Sequence, residues 1–295
     1  MKYEIRVRDY EKLSDIIDLE FDIVGIGDEG CVHKLPNIEI AKDMIKKIKN
    51  ARKMIRIITP KIPERHLRRV VELIKIISNE TEEFWITIND LGLLYALKKE
   101  KIELKHVTIG RAISRSFEDC LWYEHILRDE DEFVKDAIIQ NNMAHKVKID
   151  FFKDYQIDAI ESNMLEHQEK AFANLKNCGY KVCVHYGYIA VAFSRACQTA
   201  KYYKAEIPDC KAKCSKPIHM TMTGIWDRKE YLKPSSKVEE INPTYNLIGC
   251  VLYRDYLGEL SAVKFTNIDV MILNYSQFEN VLKLEQAIRK IREVA

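Results

Sequence analysis

Met54-Ile55-Arg56-Ile57-Ile58-Thr59, an amphipathic segment at 63–79, and then Phe84-Trp85-Ile86-Thr87-Ile88 form the stretch whose reading decides the fold. Leu67, Val70, Val71, Ile74 and Ile77 recur at helical spacing between two short runs rich in β-branched residues. A helix joining two such runs is a βα unit, the connection that parallel strands require. The rhythm extends in both directions. Upstream lie Asp22-Ile23-Val24-Gly25-Ile26 and helical spacing at 38–51. Downstream lie helical spacing at 90–99, His106-Val107-Thr108-Ile109, Ile157-Asp158-Ala159-Ile160, a helical segment at 163–175 and Tyr180-Lys181-Val182-Cys183-Val184-His185. The chain closes with Val270-Met271-Ile272-Leu273 and an amphipathic segment at 277–292, a last strand and its outer helix.

These short apolar strands predict a parallel sheet covered on both faces. The fold expected is a TIM-like (β/α) barrel, with room for an incomplete or distorted wall between 111 and 155 and a cysteine-bearing excursion at 194–216. No Pro/Gly/Ser-rich linker divides the 295 residues, so 1–295 is read as a single barrel domain.

Composition narrows the function classes. Forty-seven Lys plus Arg against 45 Asp plus Glu give a formal charge of +2, which does not demand a nucleic-acid partner. No apolar run approaches the roughly 18 residues needed to span a bilayer, and no signal-peptide core follows Met1, so the expected location is cytoplasmic. Eight cysteines in a reducing compartment then call for a role other than a disulfide scaffold.

Gly25-Ile26-Gly27-Asp28-Glu29-Gly30 spells the dinucleotide fingerprint after a strand. The mechanism of that motif requires a helix to begin inside it, whereas here Pro36-Asn37 marks a helix entry several residues late. The glycines are read instead as a sharp turn at the top of a strand.

The cysteines carry the strongest pattern. Cys197 is followed by Cys210 and Cys214, and Cys31 follows an early strand where a barrel places its active-site loops. Four such thiolates could hold Zn²⁺ or an iron–sulfur cluster, with Arg195, Lys201, Lys211, Lys213 and Lys216 supplying positive charge nearby. Cys120, Cys178, Cys183 and Cys250 are expected as small buried hydrophobes.

The run Ala190-Val191-Ala192-Phe193-Ser194-Arg195-Ala196-Cys197, with Cys210 and Cys214 at C-x12-C-x3-C spacing, resembles the cysteine region of the U32 peptidase-like family. Within it the spacing is similar to the iron–sulfur branch of oxygen-independent hydroxylation proteins. The resemblance implies a [4Fe–4S] cluster on Cys31, Cys197, Cys210 and Cys214. It implies electron transfer to the hydroxylation of a small aromatic or quinone-precursor substrate, with a homologous U32 protein as heterodimer partner. Hydroxylation of an RNA pyrimidine, or a redox or scaffold role without catalysis, are the alternatives. The family's peptidase label finds little support, since Ser194 lacks an elbow motif and no H-E-x-x-H occurs. Asn89, Asp90, Arg111, Glu161, His185 and Arg195 are expected near C-terminal strand ends, with Arg111, His185 and Arg195 as the catalytic candidates. Trp122, Tyr123, Tyr186, Tyr188, Tyr202 and Tyr203 could stack a ring or base.

Overall fold

The computed structural model describes the chain except residues 82–83, 120–126, 128, 166–167, 208–209, 211–213, 215, 221–244, 257–259 and 261–264. Cys120, Trp122, Tyr123, Lys211 and Lys213 lie outside the described residues.

Twelve strands are described: β1 Lys2–Val7, β2 Ile23–Gly27, β3 Met54–Ile58, β4 Phe84–Ile88, β5 His106–Ile109, β6 Ile157–Asn163, β7 Lys181–His185, β8 Tyr188–Phe193, β9 Ile218–Met220, β10 Tyr245–Ile248, β11 Val251–Asp255 and β12 Val270–Asn274. Eight of them close a barrel in the order β1-β12-β7-β6-β5-β4-β3-β2, every pair parallel. This is a TIM-like (β/α)8 barrel. The wall is not open between 111 and 155, because β5 and β6 pair directly with one register shift at Val107/Thr108.

Helices Ile38–Asn50, Glu64–Glu80, Leu91–Lys99, Glu169–Asn177 and Val281–Val294 cover the barrel. Their apolar stripes, such as Val70, Leu73, Ile74 and Ile77, meet the outward residues of the strands in one large core. Asn37 caps the first of these helices through Ile40 N at 2.8 Å, placing its start well after the glycine motif. The fingerprint therefore runs into a single 3-10 turn, Val32–Lys34, and presents no α-helix N-terminus to a pyrophosphate.

The strand β1 is not one of the short apolar runs that mark the barrel strands in the sequence. Its alternation puts Tyr3, Ile5 and Val7 in the outer core and Glu4, Arg6 and then Arg8 inside the barrel, all buried. The lumen is thus layered. Ile23, Trp85, Ala159, Cys183, Val270 and Ile272 form an apolar plug, and an ionic layer of Glu4, Arg6, Arg56 and Glu161 lies in contact with it through Arg56.

Gly25 makes this layer possible. A Cβ there would sit 2.7 Å from Arg6 Cγ, 2.8 Å from Glu4 Oε1 and 2.9 Å from Ile58 Cδ1. Gly25→Ala is expected to cost about 1–3 kcal/mol through overpacking. An unchanged urea midpoint would show that the layer can shift to make room.

The excursion between β7 and β12 is larger than 194–216. Strands β8, β11, β10 and β9 form a four-stranded antiparallel sheet in that order. It docks on the C-terminal ends of the barrel strands: Arg115 donates to Ala190 O at 2.9 Å and Val191 O at 2.8 Å, and Cys250 N donates to Gly30 O at 3.3 Å.

Candidate active site at the C-terminal mouth

Glu161, on β6, is the hub of the lumen. Its Oε1 accepts from Thr87 Oγ1 at 2.6 Å, from Arg56 Nη1 at 3.4 Å and from Arg6 Nη2. Its Oε2 lies 3.2 Å from Arg6 Nη1 and 2.9 Å from His185 Nε2. Glu4 shares the same guanidiniums, with Arg6 Nε at 2.7 Å and Arg56 Nε at 2.9 Å. Arg56 also stacks over Trp85, 4.6 Å from the ring centroid, which ties the ionic layer to the apolar plug.

Just above, Glu29 is held at the turn after β2. Arg111 pairs with both of its oxygens, the Nε contact being 3.2 Å, and Tyr253 from the antiparallel sheet donates to Oε1 at 2.8 Å. The remaining Arg111 nitrogen donates to Asn163 Oδ1 and Tyr188 O, both at 2.7 Å. Asn163 Oδ1 also accepts from Ala190 N at 3.0 Å, so the sheet and the site share partners.

Burial by itself would raise both carboxyl groups, but the guanidiniums prevail. Arg6 and the His185 hydrogen bond hold Glu161 well below the usual carboxylate range, and Arg111 lowers Glu29. His185 moves the other way. Burial, then Arg111 and Arg6, depress it to about 3, so its imidazole is neutral at physiological pH. With Nε2 donating to Glu161, the buried Nδ1 carries a lone pair with no partner among the described residues. Potential ligand atoms of Glu29, Glu161 and His185 all lie within 4.8 Å of one another.

Of the residues expected from sequence, Arg111, Glu161 and His185 come together here. Asn89 and Asp90 have structural roles. Asn89 ties Thr59 O to Ala112 N, each at 2.9 Å, in space left by Gly110, and Asp90 caps the helix Leu91–Lys99 through Leu93 N at 3.1 Å. Arg195 is exposed on the turn before Cys197 and makes no ion pair or hydrogen bond with the cluster. Sequence patterning does not single out Glu29, because it occupies a variable position of the glycine motif. A carboxylate at the end of a barrel strand was the available signal.

The cysteine expectation is corrected. Among the described residues, no three thiols of Cys31, Cys197, Cys210 and Cys214 gather within 4.8 Å; the group that does is Glu29, Glu161 and His185. Two of the four sulfurs also have other engagements. Cys214 receives Arg8 Nη2 at 3.5 Å, and burial followed by Asp28 raises its thiol. Burial, Asp28 and Cys214 push Cys31 up to about 12. Cys197 Sγ accepts from Ala200 N at 3.4 Å, and Cys250 acts to lower its thiol. The candidate metal donors are therefore oxygen and imidazole, and they suit a mononuclear ion such as Zn²⁺ better than a [4Fe–4S] cluster. The reading as an iron–sulfur protein of oxygen-independent hydroxylation, acting on an aromatic or quinone precursor, falls with the ligand set on which it rested.

No protein-family model matches the chain, and no curated protein matches it. Among solved structures it is similar to one titled "The Structure of the U32 Peptidase Mk0906", with 10% identity, 93% of this chain and 92% of that chain covered, and a TM-score of 0.48. The resemblance stands as a distant structural similarity to a U32 peptidase, and no chemistry is carried across it. No helix among the described residues is long and apolar enough to cross a membrane.

Proposed function

We propose that this chain is a barrel enzyme whose reaction centre is Glu29, Glu161 and His185 holding a divalent metal ion, with Zn²⁺ the ion that best suits the donors. The reaction class is metal-assisted hydrolysis of a small polar substrate. The supporting observation is the convergence of three buried donors within 4.8 Å at the face where such barrels place their chemistry. Two lowered carboxyl groups and a neutral imidazole are the charge states that a metal requires, the imidazole ligating through whichever ring nitrogen does not carry its proton.

The chain's own residues do the positioning. Arg6 and Arg111 fix the carboxylate planes, and Tyr253 and Thr87 each occupy one further lone pair. A bound Zn²⁺ would supply Lewis acidity and lower the pKa of water. The adjoining pocket, lined by Arg8, Asp28, Tyr188, Asn274, Ser276 and Gln277, offers a substrate polar groups of both signs.

Titration calorimetry with ZnCl₂ is expected to show one ion per chain. Glu29→Gln or His185→Ala should weaken it at least about tenfold, as loss of a ligand outweighs the loss of an outer-shell partner. The Co²⁺-substituted protein should lack a thiolate charge-transfer band. No binding, or binding indifferent to both substitutions, would overturn the assignment.

A metal-free reading is favoured by one observation. Arg6, Arg8, Arg56 and Arg111 balance Glu4, Asp28, Glu29 and Glu161 without any ion. In that case the free Nδ1 of His185 accepts a hydrogen bond from the substrate itself. Substrate-independent absence of bound metal, with activity still lost in His185→Ala, would select it.

A further inference from the structure

The docked sheet carries a second chemical feature that the barrel site does not use. Four hydrogen bonds lock residues 194–199 onto residues 249–250: Ser194 N to Cys250 O at 2.7 Å, Gln198 N to Gly249 O at 3.1 Å, Thr199 N to Gly249 O at 3.3 Å, and Gly249 N to Thr199 Oγ1 at 2.9 Å. They continue the antiparallel pairing of Phe193 with Val251. This frame places two half-buried free cysteines, Cys197 and Cys250, side by side, near enough for each thiol to act on the other. Gly249, at φ +63, makes the turn that presents Cys250.

We infer that Cys197 and Cys250 form an oxidisable dithiol, with Cys197 the attacking sulfur and Cys250 the resolving one, and with hydroperoxides as the oxidant class.

The two thiols are chemically unequal. The hydrogen bond from Cys250 outweighs burial and, with the N–H groups of Ala200 and Thr199, lowers Cys197 to about 6. The same bond raises Cys250. Cys31 and Cys214 are both raised, mainly by burial, so they are poor competitors.

The chemistry balances in two steps. The Cys197 thiolate attacks one peroxide oxygen; an S–O bond forms, the O–O bond breaks, and the other oxygen leaves as an alkoxide or hydroxide that takes up a proton. Cys250 then attacks the Cys197 sulfur; the S–S bond forms, the S–O bond breaks, and the Cys250 proton leaves with the oxygen as water. The sulfurs lose two electrons together, and the peroxide gains them.

Cys250 N is bonded to Gly30 O, and Gly30 follows Glu29. The cross-link therefore forms beside the barrel mouth, although the inference does not depend on the chemistry proposed there.

The full chain, reduced and freed of thiols, is to be treated with hydrogen peroxide, alkylated and mapped by peptide mass spectrometry. A Cys197–Cys250 cross-link is expected, with Cys31, Cys178 and Cys214 still alkylated. Before oxidation, iodoacetamide should label Cys197 at least about tenfold faster than Cys250. In Cys250→Ser, dimedone should trap a sulfenic acid at Cys197. Wild-type protein in which both thiols survive peroxide, or cross-link to other cysteines, would overturn the inference. So would native protein in which these thiols carry iron and labile sulfide.

Discussion

Arg6→Ala is expected to destabilise the protein by about 3–5 kcal/mol, the cost of leaving buried charge without its partner. Arg6 bridges Glu4 and Glu161, which are both fully buried and both on the lumen side of their strands. Without the guanidinium, two carboxylates remain in a space closed below by the apolar plug, and Arg56 alone has to serve both. Arg6→Lys should recover little, because a point charge cannot reproduce the two-nitrogen contact with Glu161. Glu161→Gln placed in the Arg6→Ala background should recover part of the loss, since it removes the orphaned charge. Urea unfolding of the three variants reads each of these values. A loss below about 1 kcal/mol in Arg6→Ala would mean that the lumen is wetter than its burial indicates.

The second large effect is acid destabilisation of the metal-free protein. His185 is held at about 3 when folded, against an ordinary value of 6.5. The unfolded chain therefore takes up a proton below about pH 6.5 that the folded chain refuses. Stability is complete above that pH and falls as pH decreases toward the folded value, by about 1.4 kcal/mol per unit for one proton. Near pH 4.5 the loss from this residue approaches about 2.7 kcal/mol. Below that, Glu161 and Glu29, whose carboxyl groups are lowered on folding, add to the slope as the unfolded chain protonates them. His185→Gln should flatten the segment between pH 6.5 and 4.5 while leaving the steeper part below it. Urea midpoints measured with EDTA at pH 7, 5.5 and 4.5 test this, and a wild-type midpoint that is level down to pH 4.5 would refute it.

Local periodicity determined most of the barrel. Residues 54–59, 67–77 and 84–88 announce a strand, a helix and a strand through contacts within a few turns of chain, and the same signal recurs around the wall. Lys2–Val7 was illegible for a physical reason. Its charged face resembles the solvent side of a strand, and only closure of the sheet turns that face inward, where Arg56 and Glu161 from distant strands neutralise it. Arg111, Glu161 and His185 could be read as candidates because barrel strands end near them, but their relation to Glu29 could not. Arg111 and Glu29 are 82 residues apart and meet across the mouth.

The cysteines show the same division. Close spacing of Cys197, Cys210 and Cys214 suggests one ligand set, yet contacts from elsewhere in the chain decide the company of Cys214 and Cys197. Arg8, from the end of β1, takes Cys214, and the β8–β11 pairing carries Cys250 to Cys197. Spacing along a chain specifies which groups could meet locally. Which ones do meet in a buried mouth is set by sheet closure and by the pairing of charges there, and those partners come from residues far apart in sequence.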